Sequence, residues 1–544
     1  MRVITPDSSP AEPAEPSPAG SAPAGPVLAG PVLAGQSPAA GGGGLWAPQY
    51  RALVTGLVLT ITFIASEALA VVTVMPIVAR QLGGLDLYGW VFSAFMLASV
   101  VGIVVAGREA DRRGPAIPYV IGLVLFAAGL LIAGLAPAMP VLVVGRALQG
   151  LGAGAVPAVA YVSIGRCLPE RLRPRMMAVL STAWVAPGIA GPAASVAVAH
   201  LFGWRWVFLG LVPVVAITGS LAIPSLFRLG PGVTPSPATA DADACPGPAV
   251  EPGPAPVGSG PAADPSAAPA APTPAVEHRI IDGVGTAAGA GLLLAGLTAL
   301  TASPLLGVLL VLAGAALGFP LLRRLLPAGT MRARRGLPAT ILSRGVLTFA
   351  FFGADAYVTL TITTVRHNSP ALAGLAVTGS TLGWTAGAWI QARLSERWSA
   401  RPGLRRDLVR VGLVIVLAGQ AVMALVLLPS VPVAAGIAAW TAAGFGIGLA
   451  YAPISLLMLQ EAPPGREGWA SASLNLMDVL GTAIGIGIGG AAVADVVRTG
   501  RPVADGVAIA FGCAAAVAVA GVGITTRLPA RPTSAAPVVS EPVP

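Results

Sequence analysis

About fourteen apolar segments, each near the length that crosses a bilayer, follow one another between residues 52 and 525. No other feature of the 544-residue chain limits its fold so strongly. A helix needs about 20 apolar residues to traverse the hydrocarbon core, and buried in lipid it must satisfy its own backbone groups. The segments fall at 52–80, 87–107, 117–136, 139–164, 175–200 and 206–227, then at 281–301, 304–325, 340–364, 370–393, 408–428, 432–458, 469–496 and 503–525. Composition agrees, with 55% hydrophobic and 10% charged residues against roughly 25% charged in soluble domains. The expected fold class is an all-α polytopic membrane protein.

The spans divide into two sets of six with two extra helices between them. The reading is a disordered N-terminal tail (1–44), a six-helix bundle (45–228), a Pro/Ala-rich cytoplasmic linker (229–278), two extra transmembrane helices (279–326), a second six-helix bundle (327–526) and a disordered C-terminal tail (527–544). Pro231 to Val276 is too rich in Pro, Ala, Gly and Ser to form a packed core. The tail repeats "GPVLAGPVLAG" and lacks the apolar run of a signal peptide.

Net charge is +9, a balance that in a soluble chain would suggest nucleic acid. Here the arginines sit between spans instead of forming one basic face, so no nucleic-acid partner is expected. "GREADRRG", "GRCLPERLRPR", "RRLLPAGTMRARRG" and "RLSERWSARPGLRRD" mark alternate loops as cytoplasmic, which places both termini and the linker inside. Cys167, Cys245 and Cys513 show neither disulfide nor ligand spacing, so no metal or other cofactor is expected.

An ionised group at a helix centre costs about 2.5–3.5 kcal/mol, so those inside spans need a partner or a task. Glu67, Arg146, Asp355 and Asp478 are the candidates. Asp355, Thr359, Thr363 and Arg366 share one helical face, and Ser471, Asn475, Asp478 and Thr482 another. Such faces suit a water-filled cavity or interhelical hydrogen bonds. Gln149 and the aromatic residues Phe63, Trp184, Tyr357, Trp384 and Tyr451 complete the expected cavity lining, with ordinary packing or a place at the membrane interface as the alternative for the aromatics. Gly481, Gly485 and Gly489 recur every four residues and read as a packing seam. An internal repeat is also visible, because Glu67 precedes the acid-Arg pair at Asp111 much as Asp355 precedes that at Glu396. Two similar halves around a linker suggest a transporter with its site between them.

Several motifs resemble one family. "VVGRALQGLGAGA" (Val143 to Ala155) is similar to the fourth-helix motif of the major facilitator superfamily, and "GREADRRG" (Gly107 to Gly114) to its loop between helices 2 and 3. "SEALAVVTVMP" resembles the first-helix motif of its fourteen-helix drug:proton antiporter branch, the EmrB/QacA-like proteins, with Glu67 at the acid position. "GWRWVFLGLVP" resembles that branch's entry to helix 6, and Gly191 and Pro192 of "AGPAASV" its helix-5 motif, with Ser195 and Val196 in place of the trailing glycines.

The resemblance implies a major facilitator fold with two six-helix bundles and two extra central helices, working by proton-coupled efflux of hydrophobic or cationic small molecules. It implies Glu67 as the coupling acid, Arg146 as its electrostatic partner and Asp355 as a second proton or cation site. In the 2–3 loop, Gly107, Asp111, Arg112 and Gly114 would form a conformational latch, with Arg112 pairing Asp111. The expected partners are a small-molecule substrate, protons and the lipid bilayer of a bacterial plasma membrane, and the expected state is a monomer, not an enzyme. A narrow-specificity metabolite exporter or importer, or a transport-inactive receptor or scaffold, would carry the same spans.

Overall fold

The computed structural model describes residues 45–168, 185–227, 274–398, 401–463 and 466–530, with Leu172, Met176, Val179 and Ala183 as isolated positions between the first two stretches. These residues form α1 (Pro48–Leu82), α2 (Tyr88–Arg113), α3 (Ala116–Gly134), α4 (Met139–Cys167), α5 (Val185–Leu201) and α6 (Val212–Phe227), the last entered through a one-turn helix, Arg205–Leu209. The central pair α7 (Pro274–Ala299) and α8 (Pro304–Leu325) follows. The second set is α9 (Leu337–Leu360), α10 (Pro370–Arg397), α11 (Leu404–Leu425), α12 (Val433–Glu461), α13 (Glu467–Arg498) and α14 (Val503–Ile524).

Twelve stretches among the described residues are long and apolar enough to span a bilayer, against the fourteen expected. The two exceptions have different physical origins. Helix α5 is described over 17 residues only, while α10 is long but diluted by Gly374, Gly379, Gly383 and Gly387 and by Thr378, Ser380, Thr381, Thr385 and Gln391. The linker from 231 to 273 lies outside the described residues; α7 begins at Pro274, within the stretch that composition assigns to the linker. The tails 1–44 and 531–544 are outside them too. The proposed C-terminal tail starts too early, because Arg527 donates to the carbonyls of Arg332 and Ala333 and Leu528 is buried.

The two sets of six are built alike. In the first, α2 and α3 pack on α4, α1 on α5 and α6, and α3 on α6; in the second, α10 and α11 pack on α12, α9 on α13 and α14, and α11 on α14. Each helix of the first half thus corresponds to the one eight places later. The interface between halves follows the same relation, with α2 against α13 and α5 against α10. Helices α7 and α8 pack on one another, and α7 also touches both α2 and α13, where Leu97, Val100, Ala287, Ala290, Leu294, Leu480 and Ala483 form a small apolar cluster.

Among the described residues, hydrogen bonds between the halves lie toward the end that carries loops 83–87 and 366–369. Tyr88 donates to the Ala356 carbonyl (3.1 Å), Thr359 to that of Val72 (3.1 Å) and Ser93 to that of Ala483 (3.0 Å), while Arg498 pairs with Asp86 (3.5 Å). We call this the sealed end. Close to it Gly89 and Gly490 bring the backbones of α2 and α13 together without any side chain between them.

The glycine row of α13 is a packing seam, as its spacing predicts. A methyl group on Gly485 would press on the backbone of Phe349 and Gly353 in α9, and one on Gly489 would strike the Tyr357 ring. Gly485→Val is expected to cost about 1–3 kcal/mol through overpacking, read as a lower melting temperature of the detergent-solubilised protein. An unchanged melting temperature would mean that α9 and α13 can part freely.

Candidate functional site

The segment around Glu67 is helical because its neighbours are apolar and carry no breaker until Pro76, so the carboxylate is carried into the bundle by a fold it does not itself favour. Glu67 is fully buried and Arg146 of α4 is 3% exposed. Nη1 of Arg146 forms an ion pair with Oε1 of Glu67 and also donates to Oε1 of Gln149 at 2.9 Å, while Nε2 of Gln149 donates to the same Glu67 oxygen at 3.4 Å. Arg146 and Gln149 stand three residues apart and so share a helical face. Nε of Arg146 donates to the Val91 carbonyl (3.3 Å), and its guanidinium lies 4.3 Å from the centre of the Phe95 ring, so α2 grips the same side chain. Small residues permit this closeness: Gly150 of α4 rests on the Phe95 backbone, where a Cβ would collide. The other carboxylate oxygen of Glu67, Oε2, is buried with no hydrogen-bond partner among the described residues.

The second half repeats this arrangement with one partner changed. Asp355, in α9, is the counterpart of Glu67 in α1, and its Oδ1 accepts a hydrogen bond from the indole Nε1 of Trp440 in α12 at 2.7 Å. Trp440 lies seven residues beyond the start of α12 and Arg146 seven beyond the start of α4. An indole therefore stands where the first half has a guanidinium. Asp355 has no ion-pair partner among the described residues, and it adjoins Ala356 at the sealed end.

Most residues expected to line a cavity have other surroundings. Phe63 packs edge-to-face on Phe126, with ring centres 5.2 Å apart, inside the first half. Gln149 is spent on the ion pair. Tyr357 is buried and donates to the Ile486 carbonyl, tying α9 to α13, while Thr359 bonds across the halves. Arg366 donates to the carbonyls of Val426, Leu428 and Pro429 at the end of α11, so Asp355, Thr359 and Arg366 of that stripe bond to other helices, while Thr363 donates back to the Thr359 carbonyl. Helical spacing identifies a shared face but not what that face meets. The second stripe fares differently: Asn475 is exposed, and Ser471 and Asp478 are half-buried. Trp384 is half-buried as well; Trp184 lies outside the described residues.

The proposed latch is not a loop over most of its length. Gly107 to Arg113 continue α2 as helix, Gly107 has no unusual backbone conformation, and only Gly114 needs its glycine, at φ 86°. Arg112 pairs with Glu109 (3.7 Å), as does Arg113 (3.3 Å); the Asp111 side chain is outside the described residues. Gly191 and Pro192 lie in α5, where Pro192 faces Gly374 of α10 across the interface between halves.

Sequence reasoning missed Arg344. It is 2% exposed in α9, its guanidinium lies 3.5 Å from the centre of the Tyr451 ring, and Nη2 donates to the Tyr451 carbonyl (2.9 Å) and to the Ser455 hydroxyl. The Tyr451 hydroxyl in turn donates to Oδ2 of Asp478 at 2.8 Å. The signal was present: an arginine inside "TILSRGVLTF" breaks an apolar span as plainly as Glu67 does.

The sequence pattern of the Major Facilitator Superfamily matches residues 53–323. A probable multidrug-efflux transporter of Mycobacterium tuberculosis is 27% identical over 460 residues, which cover 81% of this chain and 88% of its own. The multidrug transporter protein MdtP of Bacillus subtilis is 32% identical over 174 residues, 31% of this chain and 32% of its own. Among solved structures, a bacterial homologue of the human lysosomal transporter Spinster, in an inward-facing and unoccupied conformation, aligns over 88% of this chain and 96% of its own with a TM-score of 0.56 at 14% identity. A POT family transporter in complex with 5-aminolevulinic acid gives 0.59 over 87% and 96% at 11% identity. These last two likenesses are of fold alone. Paired six-helix halves, the matched sequence pattern and the transporter relatives agree, and support a multi-pass membrane transporter of the Major Facilitator Superfamily type.

Proposed function

We propose that this transporter exports hydrophobic or cationic small molecules in exchange for protons, by alternating access between its two halves, with fourteen spanning helices and both termini in the cytoplasm. One observation carries the reading: a fully buried carboxylate, Glu67, is paired with Arg146 between α1 and α4, and its second oxygen is left without a partner. That oxygen is where a proton can be received. Protonation would cancel the charge that holds Glu67 to Arg146, while Arg146 would keep Gln149, the Val91 carbonyl and the Phe95 ring. Loading a proton thus weakens the tie of α1 to α4 from an ion pair to hydrogen bonds and leaves α4 fastened to α2, a change of the kind that biases rigid-body motion. The efflux names of the relatives support export as the direction.

Energetics permit this. One proton moving inward supplies about 2.3 kcal/mol per 100 mV and about 1.4 kcal/mol per pH unit, together enough for a gradient of roughly 500-fold. Purified protein in vesicles with an imposed pH gradient, tested against a panel of compounds, measures the activity directly. Accumulation that ignores the gradient would refute the coupling, and response to a single metabolite would favour the narrow-specificity reading.

The linker is expected to be a spacer. Shortening it within 231–273 should leave proton-driven transport within about twofold of the full chain, since Gly- and Pro-rich linkers act through reach alone. A correctly inserted but inactive deletion would assign it a regulatory part.

A further inference from the structure

Four helices of the second half converge on an incompletely satisfied charged cluster. Arg344 of α9 spends Nη2 on the Tyr451 carbonyl and Ser455, but its Nε and Nη1 are buried without hydrogen-bond partners among the described residues. Asp478 of α13 accepts from the Tyr451 hydroxyl through Oδ2, while its Oδ1 is likewise unpartnered. The charge of Arg344 acts on Asp478 without a direct hydrogen bond between the two, and a polar group left unpartnered in a membrane interior costs several kcal/mol. Beside them runs a chain of rings: Tyr451 lies 5.2 Å from Trp384 of α10, and Trp384 lies 6.0 Å from Phe352. Phe352, Trp384, Tyr451 and Asp478 are each half-buried, while Nε and Nη1 of Arg344 and Oδ1 of Asp478 are themselves enclosed behind them. Asp478 precedes Ala483 by five residues, which puts it about 7.5 Å inward of the Ser93–Ala483 bond at the sealed end.

We propose that Arg344, Tyr451 and Asp478 form a subsite for the dipolar head of a flat aromatic substrate. The carboxylate of the substrate would meet Nε and Nη1 of Arg344, its cationic nitrogen would meet Oδ1 of Asp478, and its ring system would lie along Trp384 and Phe352. A guanidinium with free N–H groups is matched by a carboxylate, and an unpaired acid by a cation; one ligand carrying both completes each. Flat rings stack on half-buried aromatics. A purely structural arginine, serving only to fasten α9 to α12, would need Nη2 alone. The proposal rests on the transport reading only in treating the ligand as a transported small molecule.

The test compares rhodamine B, a flat dye with a cationic ring system and a carboxylate, with its ethyl ester, which keeps the cation and loses the acid. Binding to the purified full-length protein is followed by fluorescence anisotropy, which needs no proton gradient and is therefore unaffected if proton coupling fails. The wild type is expected to prefer the acid over the ester. Arg344→Gln should weaken rhodamine B by roughly 10- to 150-fold, the range for loss of a charge-assisted hydrogen bond, and leave the ester within about twofold. Asp478→Asn should weaken both dyes. Ser455→Ala removes one of the two bonds that fasten Nη2 of Arg344, leaving that to the Tyr451 carbonyl and the free nitrogens untouched, so the preference should persist. Equal affinity for acid and ester in the wild type, an equal loss of both in Arg344→Gln, or loss of the preference in Ser455→Ala would overturn the subsite.

Discussion

Glu67→Gln is expected to abolish transport driven by a pH gradient, lowering its initial rate at least about 100-fold, while the protein remains folded and still binds substrate. The argument is one of shape and charge. Glutamine matches glutamate in size, so α1 keeps its packing, and its Oε1 can still accept from Arg146 and Gln149 where Glu67 does now. Arg146 also retains the Gln149 oxygen, the Val91 carbonyl and the Phe95 ring, which together replace much of the lost counter-charge. What glutamine cannot do is take up and release a proton. The expected magnitude follows from removing an obligatory step: a drop of about 100-fold corresponds to roughly 2.7 kcal/mol of lost driving coupling. Vesicles with an imposed gradient supply the rate, and binding at equilibrium supplies the control. If the variant still concentrates substrate in response to the gradient, Glu67 is not the coupling acid, and Asp355 or Asp478 becomes the group to replace next.

The second large effect is expected on stability. Arg146→Leu leaves the Glu67 carboxylate fully buried with Gln149 as its remaining donor. Removing one member of a buried ion pair typically costs about 3–5 kcal/mol, because the other charge stays desolvated and uncompensated. The carboxylate can escape that penalty only by holding a proton permanently, so proton-driven transport should be lost as well. Glu67→Gln with Arg146→Leu removes both charges together and is expected to recover most of the stability. Thermal melts of the wild type, the two single variants and the double variant close a cycle that isolates the pair. Strictly additive losses would show that the two side chains do not depend on one another.

How far the site was legible differs residue by residue. Glu67 and Arg146 stood out because an ionised group in an apolar span is costly wherever the helix is placed, and the structure brings these two together. Arg344, in the second turn of α9, carries the same signal, yet without the fold its partners on α12 could not be named. The repeat matches Asp355 to Glu67, but it alone could not reveal that an indole faces Asp355. Phe63, Tyr357 and Thr359 were placed in a cavity by residue type and spacing, and all three instead pack within or between helices. The "GREADRRG" segment shows a related limit. Its glycines and charges suit a loop, but a helix that has left the bilayer continues at little cost where its charged residues reach water, and α2 runs on to Arg113.

The sequence by itself determined that the chain is a helical bundle in a membrane, since twenty-residue apolar runs admit little else. It also determined that the bundle has two related halves, and that Glu67 is an expense requiring an explanation. Only the tertiary structure decided which polar groups meet. A helical repeat fixes the direction of a side chain around its own axis, whereas the neighbour in that direction depends on how glycine seams such as Gly481, Gly485 and Gly489 let other helices approach. Through those approaches Glu67 acquired Arg146 and Gln149, Asp355 acquired Trp440, and Arg344 came to lie over Tyr451 close to Asp478.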